Sequence, residues 1–390
     1  RRPSNMSERY RARRRALECL TVSDQAAPAE TAVDRSDVDP ADYPRKVLFV
    51  AGAGRSGTST MAGLMQIMGL HVPQPEVVAD ESNPKGFGEP QWVVTNHDRL
   101  LKEAGVQVSD ARPDAWFETG RVSARDGERI RATEWLEEHF AVNPELVVKD
   151  PRLSWFLSLW RVAAVRSGAT PVFATMLRPP AEVVGSKQNY YQNRLGSAHL
   201  AASWLNMLLH TERATRESVA DGGRVFVRYA DLLDDWTRIV MRVGEQLQLE
   251  HVMHARGEAI RTGHRFVDPS LRRMTQTLED LGLPPRLHEL TAQTWEELNK
   301  LAEPGFDTPE VHATLDQLRE GYVELYEEAE AISRSSVVAA EQRVRKQLKG
   351  GGRPGPAPAP SGADKIPHGV RAAVPGSVRR GVRKMLGRSR

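Results

Sequence analysis

The sequence predicts an α/β protein in which a central parallel β-sheet is flanked by helices, with a long helix near its C-terminal end. Short β-branched apolar runs alternate with segments of helical apolar spacing about ten or more residues long. A glycine-rich turn, AGAGRSGTST, joins the first such run to the first such helix. Two later runs end in the tetrads KDPR and LRPP, each carrying an arginine. Strands of a parallel sheet are buried on both faces and read as unbroken apolar stretches. Ligands of such sheets bind beyond the C-terminal strand ends, so the glycine turn, KDPR and LRPP are expected to meet at one site.

Compact sequence begins at Lys46, where Lys46-Val-Leu-Phe-Val50 predicts the first strand. Met61-Ala-Gly-Leu-Met-Gln-Ile-Met68 has helical spacing, and Gly69 stands where a C-cap would end it. The chain from His71 is irregular, then helical from about Pro90 with Trp92, Val93 and Leu100 at usable spacing. Residues 124–141 predict an amphipathic helix with Ile130, Trp135, Leu136 and Phe140 on its apolar side. Leu146-Val-Val148 predicts a buried strand, Pro171 to Leu177 another, and a helix follows from near Ala181. Helix 198–220, strand Arg224 to Tyr229 and helix 231–248 continue the alternation. Asp307-Thr-Pro-Glu310 starts a last long helix, along which Leu315, Leu318, Tyr322, Leu325 and Ala329 recur every three or four residues, to pack on the domain or on a partner.

These elements divide the 390 residues into an N-terminal extension (1–44), one domain (45–304), a C-terminal helical segment (305–349) and a disordered linker with a basic tail (350–390). Hydrophobic residues at 40% and charged residues at 27% are ordinary for a soluble globular chain. The formal charge of +3 excludes a polycation as a whole, yet the last 26 residues carry eight Lys or Arg and no acid. Cys19 is the single cysteine, so no internal disulfide and no cysteine-rich zinc site can form, and a reducing, cytoplasmic setting fits. No apolar stretch approaches the roughly 18 residues of a membrane span, and no secretion signal is expected.

The turn after the first strand nearly spells a phosphate loop. Gly52 and Gly57 have the glycine spacing of G-x-x-x-x-G-K-[ST], but Thr58 replaces the lysine. Backbone N–H groups and the helix dipole still suit an anion there, and Thr58, Ser59 and Thr60 add hydroxyls while Arg55 adds a planar cation. A nucleotide triphosphate with magnesium is disfavoured, because that chemistry needs the lysine and acids for the metal. A kinase or ATPase is thus one alternative; a non-catalytic nucleotide-binding protein tethered to a membrane is another. A glycine turn kept only for packing is the bland alternative.

With RSGTS at 55–59, Arg178 at a strand end and Ser186 eight residues on, the chain resembles the bacterial members of the sulfotransferase family that uses 3′-phosphoadenosine 5′-phosphosulfate (PAPS). VVKDPR (147–152), VRYADLL (227–233) and RFVDPSLRR (265–273) extend the resemblance over roughly residues 45 to 300. It implies a P-loop NTPase-like sulfotransferase fold, PAPS as co-substrate and no metal. In its terms Gly54, Arg55, Ser56, Gly57, Thr58, Ser59 and Thr60 take the 5′-phosphosulfate, Arg178 and Ser186 take the 3′-phosphate, and Tyr229 lies near the adenine. Arg272 and Arg273 are expected near the 3′-phosphate.

Arg55 stands where many members have a catalytic lysine and is expected to stabilise charge on the leaving oxygen, since an arginine does not readily give up a proton. Glu89, in NPKGFGEPQWVV, corresponds to the general base; His97 is the second candidate and Asp98 a third. Lys149, Asp150 and Arg152 sit where a charge could reach sulfate or acceptor, with Asp150 alternatively holding Arg152. The acceptor is expected to be a carbohydrate or glycolipid hydroxyl, the rival being a phenol or other small natural product. Trp92, Trp116, Phe117, Tyr190, Tyr191 and Trp204 are the aromatic candidates to line its cleft. Residues 370–390 combine apolar positions with basic ones and suit an anionic membrane surface, placing the protein peripherally at the inner membrane face. A solvated tail is the alternative, and no specific nucleic acid is expected.

Overall fold

The four strands form one parallel sheet in the order β2-β1-β3-β4, with β1 Lys46–Gly52, β2 Glu145–Lys149, β3 Thr170–Leu177 and β4 Arg224–Arg228. The structure, a computed structural model, describes residues 42–78, 86–191, 195–268 and 276–349. The basic tail, most of the N-terminal extension, and Arg272 and Arg273 lie outside the described residues.

Every residue of β1 is buried, as a central strand with a partner on each side requires. Leu48 and Val50 point to one face and join a core with α1 (Thr58–Met68), through Met61, Leu64 and Met65. Phe49 points to the other, its ring 5.6 Å from Phe173 and 5.9 Å from Trp160. Full burial of such a side chain is worth about 1.5–3 kcal/mol, so the alternation of β1 residues holds helices on both faces. The α/β class predicted by the alternation is the observed one.

The remaining elements in chain order are α2 (Gln91–Ala104), α3 (Ala115–Ser123), α4 (Asp126–Phe140), α5 (Leu157–Arg166), α6 (Pro180–Tyr191), α7 (Ser197–Thr215), α8 (Tyr229–Asp234), α9 (Trp236–Leu247), α10 (Glu250–Met253), α11 (Gly257–Phe266), α12 (Pro285–Lys300) and α13 (Pro309–Lys349). Two compact units result. The first comprises the described parts of Arg1–Val108, Glu118–Arg178 and Thr211–Met274 and holds the whole sheet. The second comprises those of Ser109–Phe117, Pro179–His210 and Thr275–Arg390, where Leu315, Leu318 and Tyr322 of α13 are buried. No helix among the described residues is long and apolar enough to cross a membrane.

Three local expectations are corrected. The helix expected over 231–248 is broken at Asp235, whose carboxylate accepts the backbone N–H of Arg238 at 3.0 Å and starts α9 afresh. Tyr229 begins α8 instead of ending β4. Ile130 is 49% exposed, so the buried side of α4 is Ala132, Trp135, Leu136 and Phe140 without it.

Candidate active site

In strand order 2-1-3-4 the chain leaves β1 toward β2 on one side and returns to β3 on the other. That makes the C-terminal ends of β1 and β3 the crevice where ligands of open α/β sheets bind. Both ends carry cations. The turn after β1 starts at Gly52, with φ 138°, where a Cβ would lie 2.7 Å from the Met176 carbonyl oxygen of neighbouring β3. It ends at Gly57, with φ 91°, where a Cβ would lie 2.1 Å from the Tyr229 ring. These glycines let β3 and Tyr229 press against the turn, and a side chain at either would force them apart.

Between them Arg55 takes φ 76°, a left-handed conformation costing a non-glycine residue about 1–2 kcal/mol. The neighbours hold it there: Ser56 Oγ donates to the Ala53 carbonyl at 2.6 Å, and Arg178 donates through a terminal guanidinium nitrogen to the Arg55 carbonyl at 3.0 Å. Strain of this kind that surroundings maintain is characteristic of ligand-binding turns. Thr58 is buried, whereas Gly54, Arg55, Gly57, Ser59 and Thr60 are partly exposed.

Arg178 follows β3 and its guanidinium lies 5.3 Å from the centroid of Tyr229. Tyr229 itself is only 6% exposed. Packed on Gly57 and against Arg178, its ring braces the turn. Ser186 lies on α6 in the second unit, while Arg178 closes a segment of the first.

The end of β2 supplies the second half of the site. Lys149 Nζ donates to Ser59 Oγ of α1 at 3.0 Å and to a Glu89 carboxylate oxygen. Glu89 is brought there by paired backbone: Val77 N–H donates to the Glu89 carbonyl at 2.9 Å and Gln91 N–H to the Pro75 carbonyl at 2.8 Å. At Gly88, with φ 62°, a Cβ would come within 3.0 Å of Ala62 Cβ, so glycine lets this segment reach α1. Burial pushes the Glu89 carboxyl above the ordinary glutamate range, and the adjacent Lys149 offsets that only in part. A carboxylate so placed is a stronger base than an exposed one.

His97 is fully buried and both its ring nitrogens are used. Nδ1 faces Asp150 Oδ1 at 3.0 Å, and Nε2 accepts from Trp160 Nε1 at 2.8 Å, which makes Nδ1 the protonated nitrogen. Asp150 also accepts from Arg152 N–H at 2.7 Å and from its guanidinium at 2.8 Å. Burial opposes ionisation of Asp150, but the His97 hydrogen bond and the Arg152 charge outweigh it and hold the carboxyl below the usual range. Asp98 pairs with Arg152 at 2.7 Å. The chain His97-Asp150-Arg152-Asp98 therefore braces the end of β2, with Asp150 holding Arg152. Trp160, which completes it, carries no sequence signal beyond its place on an apolar helix face. His97→Ala should lower unfolding free energy by about 3–5 kcal/mol, because Asp150 and Trp160 lose a buried partner; a urea melt measures this, and an unchanged midpoint would refute the bracing role.

Of the expected cleft aromatics, Trp204 is fully buried and Trp92 stacks on Trp135 at 5.0 Å, so both serve packing. In the second unit Trp116 lies against His210 and donates to Asn206 Oδ1 at 3.1 Å, while Phe117 is 76% exposed. Tyr190 and Tyr191 belong to α6. No group of three or more metal-ligating side chains gathers among the described residues.

Compared by sequence, the chain matches no family model and no curated protein. Among solved structures it is similar to sulfotransferase STF1 from Mycobacterium tuberculosis H37Rv, at 15% identity and TM-score 0.37, covering 64% of this chain and 76% of that one. It is similar also to the sulfotransferase domain of the Synechococcus PCC 7002 olefin synthase, at 13% identity and TM-score 0.36, covering 73% and 97%. A third is the sulfotransferase domain from the curacin biosynthetic pathway, at 13% identity and TM-score 0.33, covering 71% and 98%.

Proposed function

We propose that the chain transfers a sulfuryl group from PAPS to a hydroxyl acceptor, a carbohydrate or glycolipid hydroxyl being preferred over a small phenol. The observation that carries the reading is the bridge made by Lys149, which ties a buried carboxylate of raised proton affinity, Glu89, to Ser59 beside the anion-binding turn. A phosphate-binding turn alone would suit many ligands. A base held one side chain away from it suits a reaction in which a hydroxyl must lose its proton next to a bound anion.

In this reading the turn from Gly54 to Thr60 holds the 5′-phosphosulfate, with Thr58 at the position where a triphosphate site carries lysine. Glu89 takes the proton of the acceptor hydroxyl while its oxygen forms the new bond to sulfur. The bond from sulfur to the bridging phosphate oxygen breaks, and that oxygen keeps the electron pair. Arg55 and Lys149 face the growing negative charge, and Arg178 recognises the remote 3′-phosphate.

Titration of the purified protein with PAPS, its desulfated product and ATP, followed by mass spectrometry of extracts incubated with labelled PAPS, tests the proposal. Tight binding of the first two, little response to ATP and magnesium, and a labelled acceptor are expected; ATP turnover without PAPS binding would overturn it. Arg178→Ala is expected to raise the apparent constant for PAPS about 10- to 100-fold, the worth of a charge-assisted hydrogen bond of about 1.5–3 kcal/mol, with a smaller fall in kcat because Arg178 also holds the Arg55 carbonyl. Equal discrimination of PAPS from its 3′-dephospho analogue by variant and parent would contradict the assignment.

A further inference from the structure

The buried stripe of α13 stops halfway along the helix. Leu315, Leu318 and Tyr322 are buried, but residues 327–347 are exposed except for the partly exposed Ala339. The helix nevertheless continues to Lys349, 41 residues and roughly 60 Å in all at 1.5 Å per residue. This uncovered stretch is rich in poor helix formers: Ile332 is 85% exposed, Val337 50% and Val344 53%. Its apolar and small residues are ordered all the same. Tyr326, Ala329, Ser333, Val337, Ala340 and Val344 are spaced by three or four residues and form one seam, continuous with the stripe that packs nearer the start of α13.

Charge along the same stretch is polarised. Glu327, Glu328 and Glu330 form an acidic block with no base among them, and Arg343, Arg345 and Lys346 form a basic block at the far end, where Glu341 partners Arg345 at 3.9 Å. Within one helix these blocks lie too far apart to neutralise each other. Two copies laid side by side in the same direction would set acid against acid and base against base. Laid in opposite directions, each acidic block meets the partner's basic block.

We propose that residues 326–346 of α13 pair antiparallel with the same segment of a second copy of this chain. The seam supplies the apolar contact, the small residues Ala329, Ser333 and Ala340 let the helices approach closely, and the charge blocks select both the partner and its direction. This assignment is independent of the chemistry at the crevice.

Sedimentation of the full-length chain tests it. A dimer whose proportion falls as salt rises is expected, since the selecting charges attract; a parallel pair would strengthen with salt instead. The triple variant Arg343→Glu/Arg345→Glu/Lys346→Glu and the triple variant Glu327→Lys/Glu328→Lys/Glu330→Lys should each weaken self-association at least about tenfold, while an equimolar mixture of the two restores a one-to-one complex. All six positions are exposed, and circular dichroism verifies that each variant keeps its fold. A monomeric parent chain, a dimer indifferent to both triple variants, or a monomer that uses this face on anionic vesicles would overturn the proposal.

Discussion

Glu89→Gln is expected to lower sulfuryl transfer by about 10²–10⁴-fold while leaving PAPS binding within a factor of a few. The amide keeps the size of the carboxylate and can still accept from Lys149, but it cannot hold the acceptor's proton. A second consequence separates chemistry from folding. Lys149 is 3% exposed on its side chain, so removing the Glu89 charge leaves a buried cation without its counter-ion, while it also removes a carboxylate whose ionisation burial disfavours; the two effects oppose, and a small net change in stability is expected. The double variant Glu89→Gln/Lys149→Met removes the remaining buried charge. It should be more stable than Glu89→Gln and no more active. Activity in Glu89→Gln close to the parent's would remove Glu89 from the base's role.

The raised proton affinity of Glu89 also sets a pH signature. Its carboxyl binds a proton more tightly folded than unfolded, so its ionisation works against the folded state. The cost is fully present above the folded pKa and is relieved as pH falls through it toward the unfolded value. Activity runs the opposite way, because only the ionised form accepts a proton. The acid limb of kcat/KM should therefore lie above the ordinary glutamate pKa of about 4.3, and Glu89→Asp should keep a limb where Glu89→Gln keeps none.

What could be read in the sequence was what is local in the chain. β1 was legible because five successive buried residues admit nothing polar, and the turn after it because Gly52 and Gly57 lie five positions apart and meet Met176 and Tyr229 at distances no side chain tolerates. Pairings across the fold were not legible. Lys149 and Glu89 are 60 residues apart, and neither flanking sequence records that one carboxylate and one hydroxyl converge on the same ammonium group. His97 illustrates the opposite error: a histidine on a helix beside the candidate base looks reactive, and only the simultaneous bonds to Asp150 and Trp160 show both nitrogens engaged. Tyr229 packs on Gly57 and against the guanidinium of Arg178, two neighbours far from it in the sequence. The length of α13 followed from its periodicity, whereas its stripe loses cover beyond Glu324, which pairs with Arg286 at the start of α12.

Arg55→Ala should lower kcat about 10²–10³-fold, the usual loss when a preorganised donor to developing charge is removed, and should weaken binding of the desulfated product much less. The asymmetry arises because charge on the bridging oxygen grows toward the transition state. A guanidinium facing that oxygen gains little in the ground state and most where the bond is breaking. The backbone sharpens the expectation. Arg55 holds φ 76° at a cost that alanine would also incur, so the substitution removes the cation without relieving or adding much strain. Arg55→Gly, which relaxes that conformation, should stabilise the turn slightly yet be as slow as alanine, because the missing charge sets the rate. Arg55→Lys should recover part of the loss, since an ammonium keeps the charge and gives up the planar fork. Single-turnover rates for the three variants, beside calorimetric binding of the desulfated product, decide the matter: equal losses in rate and in binding would make Arg55 a binding residue only, and an unchanged rate in alanine would remove it from the reaction altogether.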